Sequence, residues 1–197
     1  MILRNIKQLE RKNAPIISLA LAKAQLNIDL DDDSDNELLT EMVLDTQEEA
    51  ENYTGFALSE ATFQGTLAKW PIHGRELYLP KPPLVAVTSV KYYQSSDNTL
   101  KVLDSSNYTV IIDTFPGMIL FNEGVTFPEL VDRKDAVIIE FKAGYRIGEV
   151  PRPILKALRK MIFDDYEYRN NRVKEKPSIS EYLLGQFNGL ELPETYQ

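Results

Sequence analysis

Few side chains of this protein have the chemistry to act as acids, bases, ligands or nucleophiles, and they are poorly grouped. His73 is the single histidine and there is no cysteine. Any imidazole acid–base step or zinc site would therefore rest on one ring. His73 stands in Pro71-Ile-His-Gly74, a turn signal between two extended runs. That setting makes it a surface turn histidine rather than a catalytic one. The stretch Asp29–Asp35 holds five aspartates and invites a calcium reading. An EF-hand loop needs Gly at its sixth position and Glu at its twelfth. Counting from Asp29 those positions hold Ser34 and Thr40, and counting from Asp31 they hold Asn36 and Met42. Neither frame works, so the cluster is expected to be a solvated loop leading into a helix. There is no Gly-rich phosphate loop and no Gly-x-Ser-x-Gly elbow. Asp164, Asp165 and Glu167 lie among bases on a helical stretch and suit salt bridges better than a glycosidase pair. The tyrosine–base runs Lys91-Tyr-Tyr93 and Tyr166-Glu-Tyr-Arg169 could stack nucleobases. Such tyrosines are more often half-buried structural residues. The expectation is no enzyme, with no catalytic, cofactor-binding or metal-binding residues and no cofactor.

Composition narrows the class further. A chain of 197 residues can bury one sizeable core, or a core plus an inserted lobe. No strictly apolar run exceeds four residues. A transmembrane helix or a secretory signal is therefore not expected, and no membrane partner is expected either. The absence of cysteine fits a reducing compartment. The net charge of −8 argues against a surface wholly devoted to DNA. That charge is unevenly spread. Residues 29–51 carry eleven Asp/Glu and no Lys/Arg, whereas residues 152–176 carry eight Lys/Arg against four Asp/Glu. Residues 4–12 add four bases against Glu10. Such asymmetry suits a molecule that meets copies of itself or a charged partner.

The elements that must position these charges follow from periodicity. Residues 1–17 are basic and end at Asn13-Ala-Pro-Ile-Ile17, which predicts an extended arm. Ser18 is the expected N-cap of a short helix with Leu19, Ala22 and Leu26 on one face. Ser34 with Glu37 predicts a capping box for a second helix. Its apolar face is Leu38, Leu39, Met42, Val43, Thr46, Ala50 and Tyr53, and Gly55 is its stop. Its opposite face holds Glu41, Asp45, Glu48, Glu49 and Glu51. From about residue 60 the period falls to two. Strands are predicted over 62–70, 76–79, 85–93, 100–103, 108–112, 118–121 and 136–143, separated by Pro, Gly and Asn/Asp turns. A third helix begins at Val150-Pro-Arg-Pro-Ile154, with Ile154, Leu155, Leu158, Met161, Ile162 and Tyr166 on its apolar face. Arg152, Lys156, Arg159, Lys160 and Arg169 make up much of the other face. Ser178 and Glu181 form a second possible capping box before Tyr182-Leu-Leu184, and a tail follows from Gly185.

The expected class is therefore α+β: a helical layer from the N- and C-terminal segments with an inserted antiparallel β subdomain. The expected divisions are an arm at 1–17, helical parts at 18–59 and 148–184, the β insertion at 60–147 and a tail at 185–197. Partner contacts are expected from Glu41, Asp45 and Glu48, from Arg152, Lys156, Arg159, Lys160 and Arg169, and from Tyr182, Phe187 and Leu190. Within one molecule, acidic and basic helix faces lying alongside each other would contribute about 0–1 kcal/mol per pair.

The order of motifs resembles the phage head–tail connector (adaptor) family, in particular members with a β insertion between the helices. The resemblance is carried by Ser18-Leu-Ala-Leu-Ala-Lys-Ala-Gln-Leu26 and by Leu38-Leu39 through Glu49-Ala-Glu-Asn-Tyr-Thr-Gly55. It continues through Leu79-Pro-Lys-Pro-Pro-Leu84 with Val87-Thr-Ser-Val-Lys-Tyr92, then Phe141-Lys-Ala-Gly-Tyr145 leading into Val150-Pro, and ends at Tyr166-Glu-Tyr-Arg-Asn170. It implies a structural protein of the virion neck, made in the bacterial host cytoplasm. Such a protein forms a ring of about twelve subunits under the portal protein. The ring extends the DNA channel without binding DNA tightly and docks a tail-completion or stopper protein. The C-terminal helix and tail would contact the portal. Two other readings of the same chain are a tail-completion or stopper protein, and a DNA-packaging accessory that grips nucleic acid through the basic third helix.

Overall fold

The computed structural model describes residues 1–11, 15–71, 74–168 and Gly185. The fold is α+β, with three helices and antiparallel sheets. The chain forms two compact units. A β unit takes residues 1–11 and 60–144, and a helical unit takes 15–59 and 145–168. No helix among the described residues is long and apolar enough to cross a membrane.

The β unit holds eight strands: β1 (Arg4–Arg11), β2 (Ala61–Leu67), β3 (Glu76–Tyr78), β4 (Leu84–Tyr93), β5 (Leu100–Val102), β6 (Tyr108–Ile111), β7 (Met118–Phe121) and β8 (Val137–Ala143). They build a five-stranded sheet in the order β1-β2-β8-β4-β5 and a three-stranded sheet in the order β3-β7-β6. All seven strands read from the alternating pattern are present. Alternation sorts their side chains as expected. On β4, Val90 and Tyr92 are buried, while Ser89 and Lys91 face the other way and both bond the Glu140 carboxylate of β8, at 3.2 and 2.8 Å. The Lys91 hydrogen bond holds the Glu140 carboxyl below the ordinary carboxylate range. Phe63 of β2 stacks on its register partner Phe141 of β8 at 5.6 Å. Trp70 anchors a second aromatic cluster, lying 5.0 Å from Phe127, 5.8 Å from Tyr92 and 6.1 Å from Phe121.

Residues 4–11 are extended, but they form strand β1 at the edge of the larger sheet rather than a lead-in. Among its described side chains only Ile6 is partly buried, and Leu9 is 43% exposed, so its pattern gave no strand signal. Charged residues along its length suit an edge strand that must not recruit another sheet. Two register shifts and a left-handed Asn5 (φ 52°) let β1 leave β2, so that Ile2 bridges Tyr78 at the end of β3 instead. Gly65 of β2 makes this crossing possible. A Cβ there would stand 2.5 Å from Leu3 and 2.8 Å from Ile6. Leu3 is only 2% exposed, so a Cβ at position 65 must displace a buried side chain. Gly65→Ala is expected to cost about 1–3 kcal/mol by overpacking. Chemical denaturation reads that loss, and amide exchange should locate it in β1.

The helical unit packs α1 (Leu19–Leu26), α2 (Asn36–Thr54) and α3 (Arg152–Tyr168) around one core. Ser18 caps α1 as expected, its Oγ accepting the Leu21 N–H at 3.2 Å. Gly55 ends α2 at φ 73°, with its N–H on the Glu51 carbonyl. The core joins Ala22 and Leu26 of α1, Leu39, Val43 and Ala50 of α2, and Ile154, Leu158 and Ile162 of α3. Tyr145 packs against this core, its ring 6.5 Å from Phe56. The β unit ends at Gly144. Tyr53, assigned from spacing to the apolar face of α2, is 42% exposed, and Thr54 is buried there instead.

Candidate functional site

The charged faces of the helical unit rest on polar anchors beneath them. Lys23 sits on the buried side of α1 with its side chain 4% exposed. Its Nζ donates to the Leu30 carbonyl at 3.0 Å, the Asp32 carbonyl at 2.7 Å and Asp33 Oδ1 at 3.5 Å. The aspartate-rich loop thus closes around an ammonium group. Among the described residues no cluster of His, Cys, Asp or Glu could hold a metal ion. Within the loop, Asp32 Oδ1 accepts the Ser34 N–H at 3.0 Å, and hydrogen bonds from Ser34 hold the Asp32 carboxyl below its ordinary range.

The capping box expected from Ser34 and Glu37 does not form. Ser34 is committed to this Asx turn, and the N-cap is Asp35, which makes no side-chain capping bond. The Asp35 carboxylate instead accepts the Tyr166 hydroxyl at 2.5 Å, joining the start of α2 to α3. Gln47, a second buried polar residue without a sequence signal, accepts the Ile16 N–H at 3.1 Å. It donates to Ser59 Oγ at 3.2 Å and Glu51 Oε1 at 3.3 Å. These bonds fix the entry to α1 and the exit from α2 against the middle of α2.

The α2 face carries Glu41, Asp45 and Glu48, all exposed. The spacing i, i+4, i+7 puts them in one stripe about 10 Å long. On α3, Arg152, Lys156 and Arg159 have the same spacing, with Lys160 beside them. Arg152 and Lys156 are exposed, and Arg159 and Lys160 are half-buried. Arg159 Nε reaches its own helix at the Leu155 carbonyl, 3.4 Å away, and Lys160 pairs with Asp164 at 3.3 Å. Among the described residues, no base of α3 forms an ion pair with Glu41, Asp45 or Glu48. The acidic and basic faces, imagined as neighbours within one molecule, do not neutralise each other there. Among the described residues, Glu41, Asp45, Glu48, Arg152 and Lys156 form no ion pair.

Arg169, Tyr182, Phe187 and Leu190 lie outside the described residues, as do His73 and the capping box expected at Ser178 and Glu181. Three of the tyrosines weighed for base stacking are otherwise engaged. Tyr92 is in the β core, Tyr93 lies under the Arg133 guanidinium at 3.8 Å, and Tyr166 bonds Asp35.

Comparison with known proteins gives one kind of match. No family model and no curated protein matches the chain. Solved structures do. A chain in the neck of an empty gene transfer agent (GTA) particle, computed with C6 symmetry, superposes with a TM-score of 0.77 at 16% identity, covering 96% of this chain and 97% of that one. A chain from the virion of a native GTA particle gives the same figures: TM-score 0.77, 16% identity, 96% and 97% coverage. A chain in the neck of a native GTA particle, computed with C12 symmetry, gives a TM-score of 0.74 at 18% identity with the same coverage. At that identity the likeness is one of fold, and it extends over nearly the whole of both chains.

Proposed function

We propose that this protein is a structural connector of a phage-like particle: one subunit of a ring at the neck, docked under the portal and continuing the DNA channel towards the tail or a stopper. The observation that carries the reading is the shared fold with chains of GTA necks and virions over 96% of the sequence. The charge layout supports it. An acidic stripe on α2 and a basic stripe on α3 are equally spaced, and each lacks an ion-pair partner on the other. Stripes of opposite sign at different places on one surface make a heterologous contact, which closes into a ring when the rotation permits. The bases Arg152, Lys156, Arg159 and Lys160 would meet Glu41, Asp45 and Glu48 of the next copy, fixing register more than affinity. Arg169, Tyr182, Phe187 and Leu190 would extend the contact to the portal. The protein works by shape and charge and carries out no reaction. With a net charge of −8, it would let DNA pass without gripping it.

Electron microscopy of the protein mixed with its cognate portal tests this directly. Density for a closed ring of subunits on the tail-facing side of the portal is the expected result. A portal that stays bare, or one decorated at scattered sites, overturns it.

A further inference from the structure

The β unit contains a cleft of about 740 Å³. It opens where β1 leaves β2 at the left-handed Asn5. Leu67, Trp70 and Pro71 supply an apolar floor, and Arg4, Lys69 and Lys134 supply the charges. Among the described residues no Asp or Glu side chain lines it. Arg4, Lys69 and Lys134 are exposed and form no ion pair among the described residues. Trp70 is fixed in place. Its Nε1 donates to the Pro128 carbonyl at 3.0 Å and its ring stacks on Phe127 at 5.0 Å. The volume falls within the range of pockets that enclose a ligand, about 300–1,000 Å³. An apolar floor under a cationic rim suits an apolar side chain flanked by carboxylates.

The loop ahead of α2 has that chemistry. Leu30 is 60% exposed and stands in Asp29-Leu-Asp-Asp-Asp33. Asp29, Asp31 and Asp32 are exposed and form no ion pair among the described residues. A lone exposed leucine is ordinary on a protein surface. This one is held in position from beneath. Its carbonyl and that of Asp32 accept the buried Lys23 Nζ at 3.0 and 2.7 Å, so the backbone that presents Leu30 is set before a partner arrives. A loop already in shape avoids much of the ordering cost of binding. We propose that this loop of one copy seats in the cleft of a second copy. Leu30 lies over Leu67, Trp70 and Pro71, and Asp29, Asp31 and Asp32 face Arg4, Lys69 and Lys134. Joining one place on a copy to a different place on the next is a heterologous contact, the kind that a ring repeats. The contact deepens the connector reading and rests on its head-to-tail meeting of copies.

The protein has no cysteine, so introduced thiols report on this contact alone. One full chain carries Asp31→Cys and a second carries Ala68→Cys. Ala68 is exposed and lines the cleft, and its replacement leaves Leu30 and the three cations in place. Thiols on separate chains make every disulfide intermolecular. The two chains are mixed with the cognate portal under a mild oxidant, and mass spectrometry separates the mixed disulfide from the two symmetric ones. The mixed disulfide should form about tenfold faster than either symmetric one, because docking raises the effective concentration of its two thiols. Adding Leu30→Ser to the first chain, or Lys69→Glu and Lys134→Glu to the second, should slow it about tenfold. All three positions are exposed, and far-ultraviolet circular dichroism checks that the fold is kept. Electron microscopy of the same mixture reads the ring separately. A ring with no preference for the mixed disulfide overturns this contact and leaves the connector reading standing. A favoured mixed disulfide with the portal left bare keeps the contact and overturns the connector reading. Rates indifferent to the added substitutions, or a DNA oligonucleotide that suppresses the mixed disulfide, also overturn the contact.

Discussion

Lys23→Met should lower the stability of the protein by about 2–4 kcal/mol, seen as a fall in the urea midpoint of the transition reported by helical circular dichroism. Methionine keeps the apolar stem against α1 and removes only the ammonium group. That group donates to the carbonyls of Leu30 and Asp32 at 3.0 and 2.7 Å, and nothing else in the loop replaces it. A charge-assisted bond contributes about 1.5–3 kcal/mol, and partial rehydration of the carbonyls offsets some of the loss. Asp33→Asn separates this account from a simple ion pair. Asp33 is 81% exposed and its contact with Lys23 is long, at 3.5 Å. A screened pair of that kind contributes about 0–1 kcal/mol, so the asparagine variant should stay within that range. Equal losses in the two variants would show that the loop is held by the carboxylate rather than by its backbone. An unchanged midpoint in Lys23→Met would show that the loop does not need the lysine at all.

Lys23 also marks where reading the sequence stops. The acidic loop was legible as a loop, and the failure of both EF-hand frames was legible as well. The partner the loop wraps was not, because Lys23 lies on the same helical face as the apolar Ala22 and Leu26 yet looks like an exposed base when only its type is considered. Gln47 is a similar case: a polar residue in the buried stripe of α2 becomes visible only when the Ile16, Glu51 and Ser59 groups come within reach. Long-range polar contacts of this kind leave no periodic trace. Periodicity does settle the elements that bury a face. The seven strands from Ala61 to Ala143 and the three helices were readable because each alternates or repeats an apolar stripe. Strand β1 was not, since an edge strand in which only Ile6 is partly buried among the described side chains has too little stripe to detect. The Ser34 capping box failed for a related reason. A local motif lost to one competing local bond, Ser34 N–H to Asp32, and one long-range bond, the Tyr166 hydroxyl to Asp35. The charged stripes on α2 and α3 were visible from composition. The absence of ion pairs between them among the described residues was not.

Charge swapping between those stripes is the sharpest test of the assembly reading. Take one variant with Glu41→Lys and Glu48→Lys, and a second with Arg152→Glu and Lys156→Glu. All four positions are exposed, so both variants should fold. In the first, the stripes at positions 41, 45, 48 and 152, 156, 159 are both net positive; in the second, both are net negative. A head-to-tail contact then sets like against like in either variant alone. Each attractive pair is worth only about 0–1 kcal/mol, but juxtaposed like charges cost several kcal/mol per interface. The same loss recurs at every interface of a ring, so neither variant should assemble on the portal. Mixed in equal amounts they should assemble again, because the net positive α2 stripe of one copy faces the net negative α3 stripe of the other and the alternation repeats around an even-numbered ring. A single chain carrying all four substitutions should assemble as well, since its stripes are again of opposite sign. A nucleic-acid accessory acting through α3 predicts otherwise: the Arg152→Glu, Lys156→Glu variant would lose DNA affinity, and adding the other variant would not restore it. Rings that form from either variant alone would show that the stripes do not meet.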